Sequence, residues 1–350
     1  MFEWISDANL AALVGLAGGI LLGLAARVGR FCTLGAIEDV LYAGSSLRMR
    51  MWGVAIGVAM AGSFTLVAFD LLDLSQTVYL RLTWNPLASI IGGLLFGYGM
   101  ALSGNCGYGA LARLGGGDLR SFVIVAVMGV SAYVIISGPL AWLRVLVFPE
   151  VQATTLPSLA PLISRLTGLG VAGIGAAIGL LLVAAMFVGG ELAKSPIELF
   201  WAAMAGFAVI IGWAGTFWIF SNGFSPIPVE SHTYSAPLGD TIFWLMTASG
   251  TDMNFGVGSV VGVLAGAFLG SLFKGHFRWE ACEDPRELRR QIGGAVFMGF
   301  GAVIAFGCSI GQGLSAFSLL YYGAPVTFLG IFVGAALGLR QLIAGFSHGV

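Results

Sequence analysis

Three cysteines in this chain sit among glycines at the ends of long apolar stretches: Cys32 in GRFCTLGA, Cys106 in SGNCGYGA and Cys308 in AFGCSIGQG. The last two close stretches of one design, IGGLLFGYGMALSGNCGYG at 91–109 and IGGAVFMGFGAVIAFGCSIGQG at 292–313. A single buried cysteine is ordinarily a small hydrophobe. Thiols placed repeatedly where apolar helices break have another use. A neutral S–H is a weak donor, able to touch a soft, polarizable sulfur or selenium atom without retaining it. Asn105 and Gln312 each neighbour one of these thiols and are candidate hydrogen-bonding partners for an oxyanion. Gly104, Gly107, Gly109, Gly307, Ser309 and Gly311 are candidate supporting positions around them.

Cys282 differs, lying in the charged run WEACEDPRELRRQ. It reads as an exposed thiol, with sulfur handover to a cytoplasmic carrier as the alternative. None of the four cysteines forms a CxxC pair, which argues against a zinc site or thioredoxin-like chemistry. No metal or cofactor is expected, and no catalytic residue.

The elements that position these thiols are membrane spans. Hydrophobic residues make up 58% of 350 and charged residues only 9%, a composition outside the range of soluble domains. A net charge of −1 gives no electrostatic case for nucleic-acid binding. The start, MFEWISDAN, runs straight into an apolar stretch and reads as uncleaved. With about 20 apolar residues per crossing, nine spans are expected: 10–29, 51–72, 86–103, 119–138, 167–190, 199–221, 254–273, 290–307 and 324–346. An outside N-terminus leaves only Arg81, Arg144 and Arg165 of the 16 lysines and arginines outside, so the positive-inside rule gives N-out and C-in.

In that orientation the Cys106 break opens inward and the Cys308 break outward. The expected architecture is all-α: two inverted four-span repeats, 10–138 and 199–346, joined by a central span at 167–190. Four apolar connections, 31–44, 105–117, 238–250 and 308–323, read as re-entrant helices or loops, two from each face, giving an hourglass. The segment at 238–250 lacks a cysteine and offers Thr247 and Ser249 instead, with Met253 nearby. Broken backbone at membrane depth survives only where protein or a water-filled cavity covers it, the setting in which transporters place their sites.

Glycine stripes such as Gly53–Gly57 and Gly258–Gly262 are expected to pack helices. Trp4, Trp52, Trp84, Trp142 and Trp279 read as interfacial anchors. Glu38 and Asp39 are expected to pair with Arg27 or Arg30, Arg113 to set topology, and His232 to be an exposed loop histidine. No lysine or arginine falls in the middle of a span, and a deep cation would trap a dianion instead of passing it. Importing a dianion against about 100 mV, inside negative, costs roughly 4–5 kcal/mol.

GRFCTLGA, SGNCGYGALARLGGG and FGCSIGQGLSA resemble the motifs of the YeeE/YedE family of bacterial sulfur-transport membrane proteins, in the same order and over essentially the whole chain. The resemblance implies a thiosulfate permease of the bacterial inner membrane, hourglass-shaped, in which Cys32, Cys106 and Cys308 contact the substrate sulfur in turn. It also implies a small cytoplasmic sulfurtransferase-type protein as partner. Two alternatives stand beside it: transport of another sulfur or selenium compound, and a membrane protein relaying sulfane sulfur as cysteine persulfide.

Overall fold

The computed structural model describes residues 6–188, 192–281 and 284–347. Among them every regular element is helical, and extended backbone occurs only as isolated bridges. In chain order the helices are α1 (Asp7–Arg27), α2 (Thr33–Glu38, continued by a wider turn to Ala43), α3 (Leu47–Ala68), α4 (Pro86–Ser103), α5 (Gly107–Gly115), α6 (Arg120–Ile136), α7 (Ala141–Val147), α8 (Leu159–Thr167), α9 (Val171–Met186), α10 (Pro196–Asn222), α11 (Ala236–Thr247), α12 (Phe255–Phe273), α13 (Pro285–Ile304) and α14 (Gly323–Ser347). The segment 309–319, after Cys308, is also helical, with π and then 3-10 turns from Gly311 on.

Local sequence sets these boundaries. Asn85 accepts the Ala88 N–H at 3.2 Å, with Pro86 at the first helical position of α4. Asn254 accepts the Val257 N–H at 2.8 Å to open α12. Asp284 and Pro285 open α13 in the same way. Side-chain caps of this kind are each worth about 1 kcal/mol.

Six stretches are long and apolar enough to cross a membrane, α4 and α5 counting as one, and up to eight if two bent pairs are single spans. The pairs are α6 with α7, bent by 63°, and α8 with α9, bent by 114°. The remaining expected span, 290–307, falls in α13, whose first turns carry Arg286, Glu287, Arg289 and Arg290. Large apolar side chains such as Leu13, Leu180, Leu181 and Leu329 stand exposed along the helix flanks, as they do where lipid replaces water. The protein is a polytopic membrane protein.

Close glycine contacts fix which helices are neighbours and how they run. On α12, a Cβ at Gly258 would lie 1.9 Å from the Ala12 carbonyl oxygen and one at Gly262 would lie 2.4 Å from that of Leu16. The two helices therefore run parallel, backbone against backbone, as small residues allow in lipid. The same logic makes α3 parallel to α10 and α4 parallel to α14, while α4 is antiparallel to α13 and α3 to α9. The glycine-packing expectation holds at Gly57 too, which lies against Gly179 of α9.

Trp52 departs from its expected place. It is buried, stacked on Phe31 with ring centroids 4.7 Å apart, because the start of α3 lies inside the bundle and not at its edge. Trp142 and Trp279 are exposed, while Trp4 and Cys282 lie outside the described residues. Asp39 pairs with Arg48 at 2.6 Å, not with Arg27 or Arg30; Arg27 donates instead to Ser271 at 2.7 Å.

Substituting Gly258→Val drives side-chain carbon into the Ala12 carbonyl. Forced overpacking of this kind costs about 1–3 kcal/mol, so the purified protein in detergent should melt several degrees lower. An unchanged melting temperature contradicts the α1–α12 contact.

Candidate functional site

Each of the three breaks has the same local build. Two residues before the cysteine the backbone turns left-handed, at Arg30 (φ 55°), Gly104 (φ 75°) and Phe306 (φ 58°). For Arg30 and Phe306 that conformation costs on the order of 1–3 kcal/mol, held by the surrounding fold. A helix starts immediately after the cysteine, and the N–H of the glycine three residues on donates to the cysteine sulfur. The distances are 3.5 Å for Gly35 to Cys32, 3.4 Å for Gly109 to Cys106 and 3.4 Å for Gly311 to Cys308. The cysteine thus occupies the capping position that serine, aspartate or asparagine usually fills. The shared signature is C-x-x-G: CTLG, CGYG and CSIG.

The glycine is required by crowding at Gly311, where a Cβ would lie 2.5 Å from Thr233 Oγ1 and 2.9 Å from the Tyr79 hydroxyl. Gly307 extends the Phe306 turn with φ 153°, and Gly107 packs against the Tyr234 carbonyl and Met128.

Cys106 and Cys308 are buried and Cys32 is partly exposed. Cys106 lies within electrostatic range of both Cys32 and Cys308, with the Ser309 side chain beside it. Several polar atoms around the thiols are buried without a hydrogen-bond partner: Thr33 Oγ1, Asn105 Oδ1, Ser309 Oγ and Gln312 Oε1. Buried polar groups left unpaired cost roughly 1–3 kcal/mol each, so a cluster at one place marks a site built for water or a polar ligand. Gln312 departs from the expected role. Its amide nitrogen donates to the carbonyls of Ala305 at 2.9 Å and Phe306 at 3.0 Å. Both its N–H groups are spent holding the end of α13, leaving an acceptor oxygen that cannot serve an oxyanion.

The fourth segment is displaced from its expected position. Thr247 and Ser249 lie at the far end of α11 and beyond it, among exposed apolar residues such as Leu245 and Met246. The residues that reach the thiols precede α11. The Tyr234 N–H donates to Cys308 Sγ at 3.2 Å, and Thr233 Oγ1 lies 3.6 Å from the same sulfur. His232 is fully buried, not an exposed loop residue, with Nδ1 2.7 Å from Ser259 Oγ; that hydroxyl donates to the Tyr234 hydroxyl at 2.9 Å. The Tyr234 ring in turn lies 5.6 Å from Tyr108, whose hydroxyl donates to the Leu22 carbonyl at 2.6 Å. The segment before α11 therefore brings hydroxyls and a histidine to the neighbourhood of Cys308.

A cavity approaches the thiols from each end. One, about 370 Å³, holds Cys32 and Asn105 within a basic rim of Arg27, Arg30, Arg48, Arg113 and Lys274. Arg113, expected only to set topology, is part of this lining and donates to the Gly104 carbonyl at 3.4 Å. The other, about 350 Å³, leads to Thr233 and Gly307 past Tyr79, Glu230, Arg144 and Glu150. The sequence signal for the basic rim was available in the arginines around 27–48 and at 113; nothing in composition marked SHTYS as buried.

Helical spans broken at buried polar caps, with a cavity at each end, define a membrane protein of the transporter class. The chain belongs to the sulphur transport family, whose profile matches residues 28–337. It is similar to the thiosulfate transporter TsuA of Escherichia coli K12, 27% identical over 328 residues covering 86% of each chain. It is equally similar to the thiosulfate transporter TsuA of Spirochaeta thermophila, 27% identical over 320 residues, covering 86% of this chain and 90% of the relative.

Burial orders thiol reactivity. A membrane-permeant maleimide should alkylate Cys32 at least about tenfold faster than Cys106 or Cys308, read by mass spectrometry of timed samples. Equal rates at all three contradict the buried placement.

Proposed function

We propose that this protein takes up thiosulfate across the bacterial inner membrane, passing it along Cys308, Cys106 and Cys32. The observation that carries the reading is the threefold C-x-x-G cap, with unpartnered Thr33, Asn105 and Ser309 atoms beside the thiols. Thiosulfate presents a soft terminal sulfur and three oxygens. Thiols contact the sulfur through weak S–H donation, while the Ser309 and Thr33 hydroxyls suit the oxygens. Contacts this weak, repeated along a path, allow binding that is easily reversed, as conduction requires. The thiosulfate transporters among its relatives support the choice of substrate.

The path is read as an hourglass of nine passes, α1, α3, α4, α6, α9, α10, α12, α13 and α14. Four re-entrant elements, α2, α5, α11 and 309–319, meet between them. Strict alternation of nine passes accounts for all five helix directions given above: α1 with α12, α3 with α10 and α4 with α14 parallel, α4 with α13 and α3 with α9 antiparallel. Exchanging α1 with α10, α3 with α12, α4 with α13 and α6 with α14 turns the α1–α12 contact into α10–α3, and α4–α14 into α13–α6. Those paired contacts support two inverted repeats, 10–138 and 199–346, with α9 as connector. The distribution of arginine and lysine supports an outside N-terminus and a cytoplasmic C-terminus. The basic cavity at Cys32 then faces the cytoplasm, where a sulfurtransferase-type carrier would collect the sulfur.

Uptake of labelled thiosulfate into cells tests this reading. Cys106→Ala and Cys308→Ala should each lower uptake at least about tenfold with normal amounts of protein in the membrane. Normal uptake by both variants overturns the thiol pathway.

A further inference from the structure

Arg144 is the only charged residue of α7, the short helix set at 63° to α6. Its guanidinium lines two adjoining spaces. One is the cavity leading to Cys308; the other is a smaller one, about 50 Å³, against Ser89, Asn85 and Phe306. Nη1 pairs with the Glu150 carboxylate, whose side chain is 43% exposed. Nε, by contrast, is buried and has no hydrogen-bond partner.

The position is built, not incidental. The extended segment that follows Glu150 is tied across this mouth. Thr83 N–H donates to the Val151 carbonyl at 2.8 Å and Ala153 N–H to the Arg81 carbonyl at 2.9 Å. Further along, the Tyr322 N–H donates to the Pro157 carbonyl at 3.1 Å, and Ser158 bridges to Tyr321. A largely buried, always-charged group whose Nε donor is unspent, held at one opening of the path, is matched to an anion.

We propose that Arg144 is the outer capture site of the pathway, where an incoming oxyanion displaces Glu150 from the guanidinium before moving on to Thr233 and Cys308. This inference rests on the uptake reading above. The guanidinium fork suits two oxygens of a tetrahedral sulfur oxyanion. A partly exposed Arg–Glu pair is weakly held, so the anion can compete for it, and Glu150 can reclaim the arginine once the anion has left. Glu230, in the extended segment outside the spanning helices, shares the larger cavity. Burial, reinforced by Asp240, pushes its carboxyl up to about 8. At neutral pH it is an uncharged acid and does not oppose the arriving anion. Placing the cation at the mouth raises the local anion concentration without creating a deep trap.

The test is the concentration dependence of labelled thiosulfate uptake in wild type, Arg144→Gln, Arg144→Lys and Glu150→Gln, with membrane abundance measured by immunoblot. The expected result for Arg144→Gln is a KM raised about tenfold or more with the maximal rate per transporter within twofold of wild type, and partial recovery of KM in Arg144→Lys. Glu150→Gln, which frees the arginine, is expected to lower KM severalfold, and it carries the test if Arg144→Gln does not accumulate. A KM within twofold of wild type in Arg144→Gln, or a raised KM in Glu150→Gln, overturns the capture site while leaving thiosulfate uptake standing. Absence of uptake by wild type overturns the uptake reading and this site with it.

Discussion

Backbone that breaks between apolar helices has to find partners for its exposed N–H groups, and here three of those partners are cysteine sulfurs. The N–H···S caps at Cys32, Cys106 and Cys308 let a helix begin at each break. They also fix the position of each thiol. Around these caps the other features take their places. Left-handed turns deliver the chain to each cysteine, Gln312 ties off α13, and Thr233 and Tyr234 close the remaining side against Cys308.

Charge is arranged to complement this weak interior. Arginines and one lysine ring the opening beside Cys32, Arg144 stands at the other, and the path between them offers thiols, hydroxyls and amides. In the proposed pathway, cations at the mouths would concentrate an anion and their absence in between would keep it moving. Inward passage of a dianion still opposes a membrane potential by roughly 4–5 kcal/mol. In the proposed orientation, rapid chemical consumption at the Cys32 mouth would offset that cost, and Cys32 is the partly exposed thiol of the three.

Much of this was legible in the sequence, for physical reasons that also explain what was not. Spans announce themselves by length and apolarity, and cysteine among glycines is conspicuous in an apolar chain. The fourth segment was misplaced because SHTYS is polar, and polar runs between apolar ones ordinarily lie in water. In a protein with an internal polar path the same residues belong at its centre, as the buried His232 does. Arg113 was read as a topology marker and lines the cavity as well, since a residue near a helix end can also face inward. Trp52 was read as an anchor because its helix begins nearby, yet that helix begins within the bundle. Gln312 looked like a ligand by adjacency to Cys308; only coordinates reveal that both its N–H groups are committed.

The most direct measurement of the central claim is substrate protection of the thiols. Purified protein is alkylated with a maleimide in the presence of thiosulfate or of sulfate at equal concentration and ionic strength. If the capped cysteines contact the terminal sulfur of the substrate, thiosulfate slows modification of Cys106 and Cys308 severalfold, while sulfate, which lacks that atom, does not. Equal rates in the two anions would contradict a pathway in which thiols recognise sulfur.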